Sequence, residues 1–260
     1  MNILQQFFKS LYSPKTIAMT RFQGIGKTIL FVFFLSLLAT LPAIFQIGTG
    51  LSTGLKGLDQ TLKSEVPDFK IENGKLIADS IKEPLEIRKD GFIVLLDPNG
   101  TYTLKEVENK QNAIAFLKDE FVFASYGQSQ IYEYSLLSDL TITKENIIDY
   151  LAQINGILPI IIVVISFFMY IASSAFKFIE IFMLAFIGLV IKNLLQKKGN
   201  FKQIWTIAAY SVTLATFFFT IMESIGANVP SALFVNWFVH FMMVYLAINE
   251  IPSTKKPLAA

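Results

Sequence analysis

A single histidine, His240, stands in a chain of 260 residues that has no cysteine at all. Four residues before it lies Asn236, which a helix would place on the same face. Both sit inside an apolar stretch, and so does Glu180, with Lys177 three residues before it and able to pair with it. Polar and ionisable groups in such stretches face the interior of a helix bundle and can mark a substrate or proton path. The plainer role is an interhelical hydrogen bond worth about 0.6–2 kcal/mol, and spacing alone favours it. Asn236, His240 and Glu180 are therefore the candidate intramembrane polar site.

Other chemistry is excluded by residue type. One histidine and no thiol leave no two-histidine zinc site, no HExxH protease and no cysteine nucleophile within the chain. No GxSxG elbow is present to serve a Ser–His–Asp arrangement. Gly24-Ile25-Gly26-Lys27-Thr28 matches only the end of a phosphate-binding loop; Arg21 stands where that loop needs glycine, and an apolar helix follows. Asn99-Gly100-Thr101 fits a glycosylation sequon but is already explained as a turn. Glu223 lies near the end of its apolar stretch, where it can reach water. The expectation is a protein that is not an enzyme and carries no cofactor or metal.

The elements that must position these residues are membrane-spanning. Apolar residues make up 53% of the chain and charged ones 16%, with 25 phenylalanines and a mean hydropathy of +0.52. A soluble domain carries about 25% charge. Residues 28–47 form an uncharged apolar run long enough to cross a hydrocarbon core of about 30 Å. Some 27 residues precede it and it exceeds a signal-peptide core, so it reads as an uncleaved first span. Four further apolar blocks cover about 155–176, 178–195, 204–225 and 231–248. Pro159 predicts a weakened turn in the first of these. The block 178–195 is interrupted by Glu180, and both four and five crossings stand. Before the first span, Ile3, Leu4, Phe7, Phe8 and Leu11 share a helical face, and Ser13-Pro14 starts a second short helix. This segment either lies on the inner leaflet or packs on the other helices.

Charge is segregated along the chain. Residues 1–55 carry four basic groups and no acidic one, residues 56–150 carry 17 acidic against 11 basic, and residues 151–260 carry seven basic against three acidic. That is a basic cytoplasmic start followed by an exported acidic segment, and not the single basic face of a nucleic-acid binder. If 178–195 does not cross, six C-terminal lysines join the basic N-terminus inside the cell.

The exported segment has strand grammar. Residues 69–72 and 75–77 flank Asn73-Gly74, a type I′ hairpin signal. Residues 85–89 and 92–96 flank Asp90-Gly91, and Asp97-Pro98-Asn99-Gly100 before Thr101-Tyr102-Thr103 reads as a third hairpin. Residues 114–117, 121–124 and 130–134 are further strands. Thr143 caps a helix with Ile147, Ile148 and Leu151 on its apolar side. A domain tethered at both ends suits contact with a neighbouring membrane protein, or serves to cap the bundle.

The run Phe8-Lys9-Ser10-Leu11-Tyr12-Ser13-Pro14, then Arg21-Phe22-Gln23-Gly24-Ile25-Gly26-Lys27, resembles the start of an uncharacterised membrane family of Gram-positive bacteria, domain of unknown function 1189. Asp68 to Leu76 (DFKIENGKL) and Phe201-Lys202-Gln203-Ile204 match further along, so the resemblance covers nearly the whole chain. It implies a link to sugar uptake, since some members are labelled maltodextrin-utilisation proteins, and it assigns no site residue. The C-terminal half is distantly similar to the Yip1-type membrane fold, which implies five crossings.

The expected fold is thus an α-helical integral membrane protein of five hydrophobic segments, four or five crossing, with one inserted extracytoplasmic mainly-β domain. The expected parts are a cytoplasmic amphipathic basic segment (1–27), a first transmembrane helix (28–47), the β domain (48–150), a C-terminal helix bundle (151–250) and a tail (251–260). The expected place is a plasma membrane, multi-pass, with the N-terminus cytoplasmic. The expected partners are the lipid bilayer and another membrane protein or complex, with no nucleic acid. The expected role is a membrane accessory, scaffold or sensing protein, linked through the resemblance to maltodextrin uptake. The alternative is a small transporter or channel with a polar path near Asn236 and His240.

Overall fold

The computed structural model describes residues 1–89, 91–110, 112–125 and 128–253. It separates into two units, one of Met1–Gln46 with Val163–Ala260 and one of Ile47–Ile162.

The helical unit opens with α1 (Ile3–Ser10) and α2 (Pro14–Met19). Asn2 and Gln5 form a reciprocal capping box, and the Ser13 hydroxyl accepts from the Thr16 amide ahead of Pro14. Of the two placements left open by the sequence, packing is observed. Phe7 meets Phe34 and Phe217 edge-on at 5.8 and 5.3 Å, and Ile17 is fully buried. Leu4, Phe8, Tyr12 and Met19 stay exposed, so the apolar face predicted from Ile3 to Leu11 is wide enough to split in two.

Helix α3 spans Ile25–Ser64 and α5 spans Lys144–Leu194. The blocks 155–176 and 178–195, separate in the sequence, lie on this one uninterrupted helix. Only Lys177 divides them, no glycine or proline marks a turn there, and Glu180 neutralises the lysine from the next turn. The remaining helices are α6 (Phe201–Ser211), α7 (Thr213–Ser224) and α8 (Ala232–Asn249). The break at Val212 falls where the Ser211 and Thr213 hydroxyls donate to the carbonyls of Ile207 and Tyr210 (2.9 and 2.7 Å). Among the described residues four helical stretches are long and apolar enough to cross a membrane: Ile25–Ser64, Lys144–Leu194, Phe201–Ser224 and Ala232–Asn249. Large apolar side chains such as Phe167, Ile171, Phe182, Phe186, Phe234 and Phe238 point outward, as lipid contact requires. Inside, Ile181, Leu184, Ile204, Ile207, Tyr210, Val244 and Ile248 form the core. Gly188 lets α5 approach closely, since a β-carbon there would stand 2.7 Å from Ile204 Cγ2.

The other unit is built on a five-stranded sheet ordered β3-β4-β5-β6-β7, from β3 (Leu85–Lys89), β4 (Phe92–Asp97), β5 (Asn112–Leu117), β6 (Glu120–Ser125) and β7 (Gln128–Glu133). A smaller sheet orders β2 (Lys75–Ile77), β1 (Lys70–Glu72) and β8 (Ile142–Thr143). Asn73 and Gly74 both take positive φ (51° and 72°), the type I′ turn read from the sequence. Of the Asp90-Gly91 turn, Asp90 lies outside the described residues, and so does the tail from residue 254. The third hairpin is not formed. After β4 the chain makes a short helix, α4 (Leu104–Glu108), and returns as β5 parallel to β4. The buried Asp97 carboxylate takes the amides of Asn99, Gly100 and Tyr102 (3.2, 3.1 and 2.7 Å), and Thr103 with Glu106 caps the helix. These bonds take amides that a returning strand would need.

Strand alternation sends Val94, Leu96 and Phe116 to one face of the sheet, against Leu58 and Leu62 of α3 and Leu151 of α5. Leu95, Ala115, Leu117 and Val122 pack on the other face beneath Val107 of α4. Helix α3 runs on to Ser64, past the apolar run ending at 47, because Leu55, Leu58 and Leu62 keep helical spacing and are covered by the sheet. Thr143 and Asn146 cap α5 reciprocally. Lys144, nearly buried, donates to the Val66 carbonyl and pairs with Asp68 at 2.7 Å, tying the two helix ends together.

Candidate functional site

Helix α8 is apolar on nearly every side, and His240 falls at its midpoint, about 12 Å from either end at 1.5 Å per residue. Asn236, one turn earlier, faces the same way. Both point at α5. The Asn236 amide donates to Glu180 Oε1 at 3.1 Å, and His240 Nδ1 lies 3.1 Å from the same oxygen, off the line of a straight hydrogen bond. The other oxygen of Glu180 accepts from Lys177 Nζ at 2.7 Å, and Lys177 also donates to the Thr216 hydroxyl of α7 at 3.1 Å. One carboxylate thus gathers three helices, with Lys177 and Glu180 each only about 15% exposed. All three sequence-predicted residues meet at this point, through the interhelical contact that was the plainer expectation.

Electrostatics explain why the cluster holds together. An isolated charge in a bundle interior is costly, and pairing with added hydrogen bonds is what offsets the desolvation. Lys177 and Glu180 cancel in charge, and the Asn236 amide supplies a further hydrogen bond to the carboxylate, with the imidazole of His240 packed beside the same oxygen. His240 is fully buried, its ring edge-on to Trp237, and its Nε2 has no partner among the described residues.

A cavity of about 350 Å³ opens beside the cluster toward the α7–α8 connection. Its walls are Ala39, Lys177, Thr216, Phe219, Thr220, Glu223, Ala232, Leu233 and Asn236. Thr216, Thr220 and Ser224 recur every four residues along α7, and the hydroxyls of Thr220 and Ser224 donate back to the carbonyls of Thr216 and Thr220 (2.8 and 2.6 Å). Glu223 is exposed at the outer end, as its position in the sequence predicted. Thr216 and Thr220 escaped sequence reading because threonines in an apolar span are common; their four-residue repeat was the available signal.

A second polar knot lies near the other end of the helical unit. Gln23 donates to Tyr210 at 2.7 Å and to Thr28 at 3.0 Å, Tyr210 donates to Gln6 at 2.9 Å, and Gln6 donates to Gln23 at 2.8 Å. Phe31 stacks on Tyr210 at 4.0 Å. Thr28, last residue of the loop-like Gly24–Thr28 motif, is thereby engaged in packing. Among the described residues no group of three or more histidine, cysteine, aspartate or glutamate side chains is placed to hold a metal.

Four apolar helical stretches with an inserted sheet unit define a multi-pass α-helical membrane protein with one β-rich insertion. The chain belongs to the family described as protein of unknown function DUF1189, whose model matches residues 4–248. Comparisons with curated proteins and with solved structures find no match.

Proposed function

We propose that this protein is a non-enzymatic accessory or sensing component of a larger membrane complex, contacted through its sheet unit. The observation that carries the reading is the outer edge of β7. Among the described residues its far side pairs with no strand, five of its six residues are exposed, and Ile131 and Tyr132 are among them. Free-standing sheet edges are normally guarded by lysine, proline or a bulge, and an unguarded one is a template for a partner. The test is affinity purification from mildly solubilised native membranes, comparing the natural chain with I131K/Y132K. A stoichiometric partner lost in the variant supports the reading. A chain that purifies alone, or a partner indifferent to the edge, sinks it.

The orientation that goes with this reading puts the N-terminus in the cytoplasm and residues 50–150 outside, in the plasma membrane of a Gram-positive bacterium. Its support is the basic, acid-free segment before the first span and the lysines that follow α5, together with the continuity of α5, which favours four crossings over the five of a Yip1-type arrangement. The proposed link to maltodextrin uptake rests on the family resemblance alone. A second reading, passage of a small polar solute, is favoured by the cavity that ends at Lys177 and Asn236 beside the break at Val212. Replacing His240 with Leu should then abolish uptake of that solute into proteoliposomes while membrane insertion persists; unchanged uptake refutes it.

A further inference from the structure

The cavity beside α7 and α8 has a chemical polarity that its lining residues fix. Asn236 spends an amide proton on Glu180, and the Thr220 hydroxyl spends its proton on the Thr216 carbonyl. Lys177 is committed to Glu180 and to the Thr216 oxygen. These bonds leave three acceptors on the cavity-lining residues, the Asn236 side-chain oxygen, the Thr220 lone pairs and the carboxylate of Glu223, none with a donor among the described residues, beside the second Asn236 N–H, the third Lys177 N–H and the Thr216 hydroxyl proton. Lys177 is neutralised by Glu180, which lies behind the wall, so Glu223 is the lining charge without a counter-ion among the described residues. The ring of Phe219 forms part of the wall, and aromatic faces attract cations.

We propose that this cavity binds a primary ammonium group bearing a short apolar substituent, with the ammonium on Glu223, Thr220 and Asn236 and the substituent against Phe219 and Leu233. The ammonium belongs either to a free amine or to an aminophospholipid headgroup; the recognition chemistry is the same. The inference goes beyond the accessory reading and needs no partner protein, so its failure and that of the docking edge are separate results.

The test uses the full chain in nanodiscs of phosphatidylglycerol alone, with ethylammonium as probe and saturation-transfer NMR as readout. Millimolar affinity is expected for so small a ligand. Glu223→Gln should weaken binding at least tenfold by removing the charge-assisted bond, and Thr220→Val should weaken it several-fold. Glu223 is exposed, so its variant tests binding without risk to the fold. Tetramethylammonium, which has no N–H donor, should bind more weakly than ethylammonium. Adding phosphatidylethanolamine to the discs separates the sources: displacement of the probe assigns the site to the lipid headgroup, and its persistence assigns it to a free amine. Equal saturation transfer in the natural chain and Glu223→Gln, or binding of acetate in place of ethylammonium, overturns the proposal.

Discussion

The ion pair on α5 makes a prediction whose size follows from its surroundings. Replacing Glu180 with Leu leaves Lys177 charged, largely buried and held only by the Thr216 hydroxyl at 3.1 Å. Breaking a buried pair from one side costs about 3–5 kcal/mol. Lys177→Met should cost less, because Glu180 keeps the Asn236 amide and the contact with His240. The double variant K177M/E180L removes both charges and leaves the Asn236 amide without its acceptor, a residual of about 1–3 kcal/mol. The double variant should therefore be more stable than E180L alone. At roughly 2–4 °C per kcal/mol for a chain of this size, E180L should lower the unfolding midpoint by about 6–20 °C, and the second substitution should restore part of it. The assay is thermal unfolding in mild detergent, followed by size-exclusion chromatography with fluorescence detection. Losses that simply add across the two single variants would refute the reasoning, since the side chains would then not be acting on one another.

Three further outcomes follow from the geometry. Gly188→Ala should destabilise the helical unit by about 1–3 kcal/mol through its clash with Ile204, whereas Gly156→Ala on the same helix, where a β-carbon meets nothing within 4 Å, should be stabilising by about 0.4–1 kcal/mol; unfolding midpoints check both. Lys110, aided by Arg88, holds the Glu86 carboxyl below its usual range. Its folded value is depressed, so the stabilisation is present above about pH 4.5 and fades as pH falls through the lower folded value; the stability gap between the natural chain and Lys110→Met should close over that acid window in pH-dependent unfolding. A reporter fused after Ala260 should be active on the cytoplasmic side if four stretches cross, and an exported signal would mean a fifth crossing.

Much of the fold is legible because the sheet unit obeys local rules. Strand alternation, the Asn73-Gly74 turn and the Thr143 cap each depend on neighbours within a few residues. The third hairpin failed at Asp97, where a side chain competes with the backbone for amide protons; the sequence offers the same Asp-Pro-Asn-Gly run to either outcome. Strand β8 was missed because two residues carry no periodicity. The division of α5 into two blocks came from reading a charge as the end of a span, although a charge neutralised one turn away need not end one. The site was legible as residue types at helical spacing on α8. What could not be read was the partner: nothing local in the sequence says that Asn236 and His240 meet Glu180, 56 and 60 residues away, and not each other.

The distribution of cations argues how the helical unit is organised across its length. Lys27 bonds the Met1 carbonyl at the start of α3, Lys192 bonds the Gly199 carbonyl beyond the end of α5, and Lys197 donates to the Asn249 carbonyl at the end of α8. These contacts bring the basic residues to the end of the unit where α3 and α6 begin and α5 and α8 finish. The opposite end carries Glu223, and among the described residues the cation nearest to it on the cavity wall is Lys177, already paired. A bundle with lysines at one end and an unpaired carboxylate at the other has a built-in electrostatic direction, which the positive-inside rule converts into the proposed orientation. In that proposed orientation the cavity would open toward the extracytoplasmic side. An amine approaching from that side would meet the negative end first, while the lysine end would repel it from the other. The proposed orientation and the proposed selectivity of the cavity therefore draw on one charge pattern, and reversing it with lysine in place of Glu223 should weaken both together.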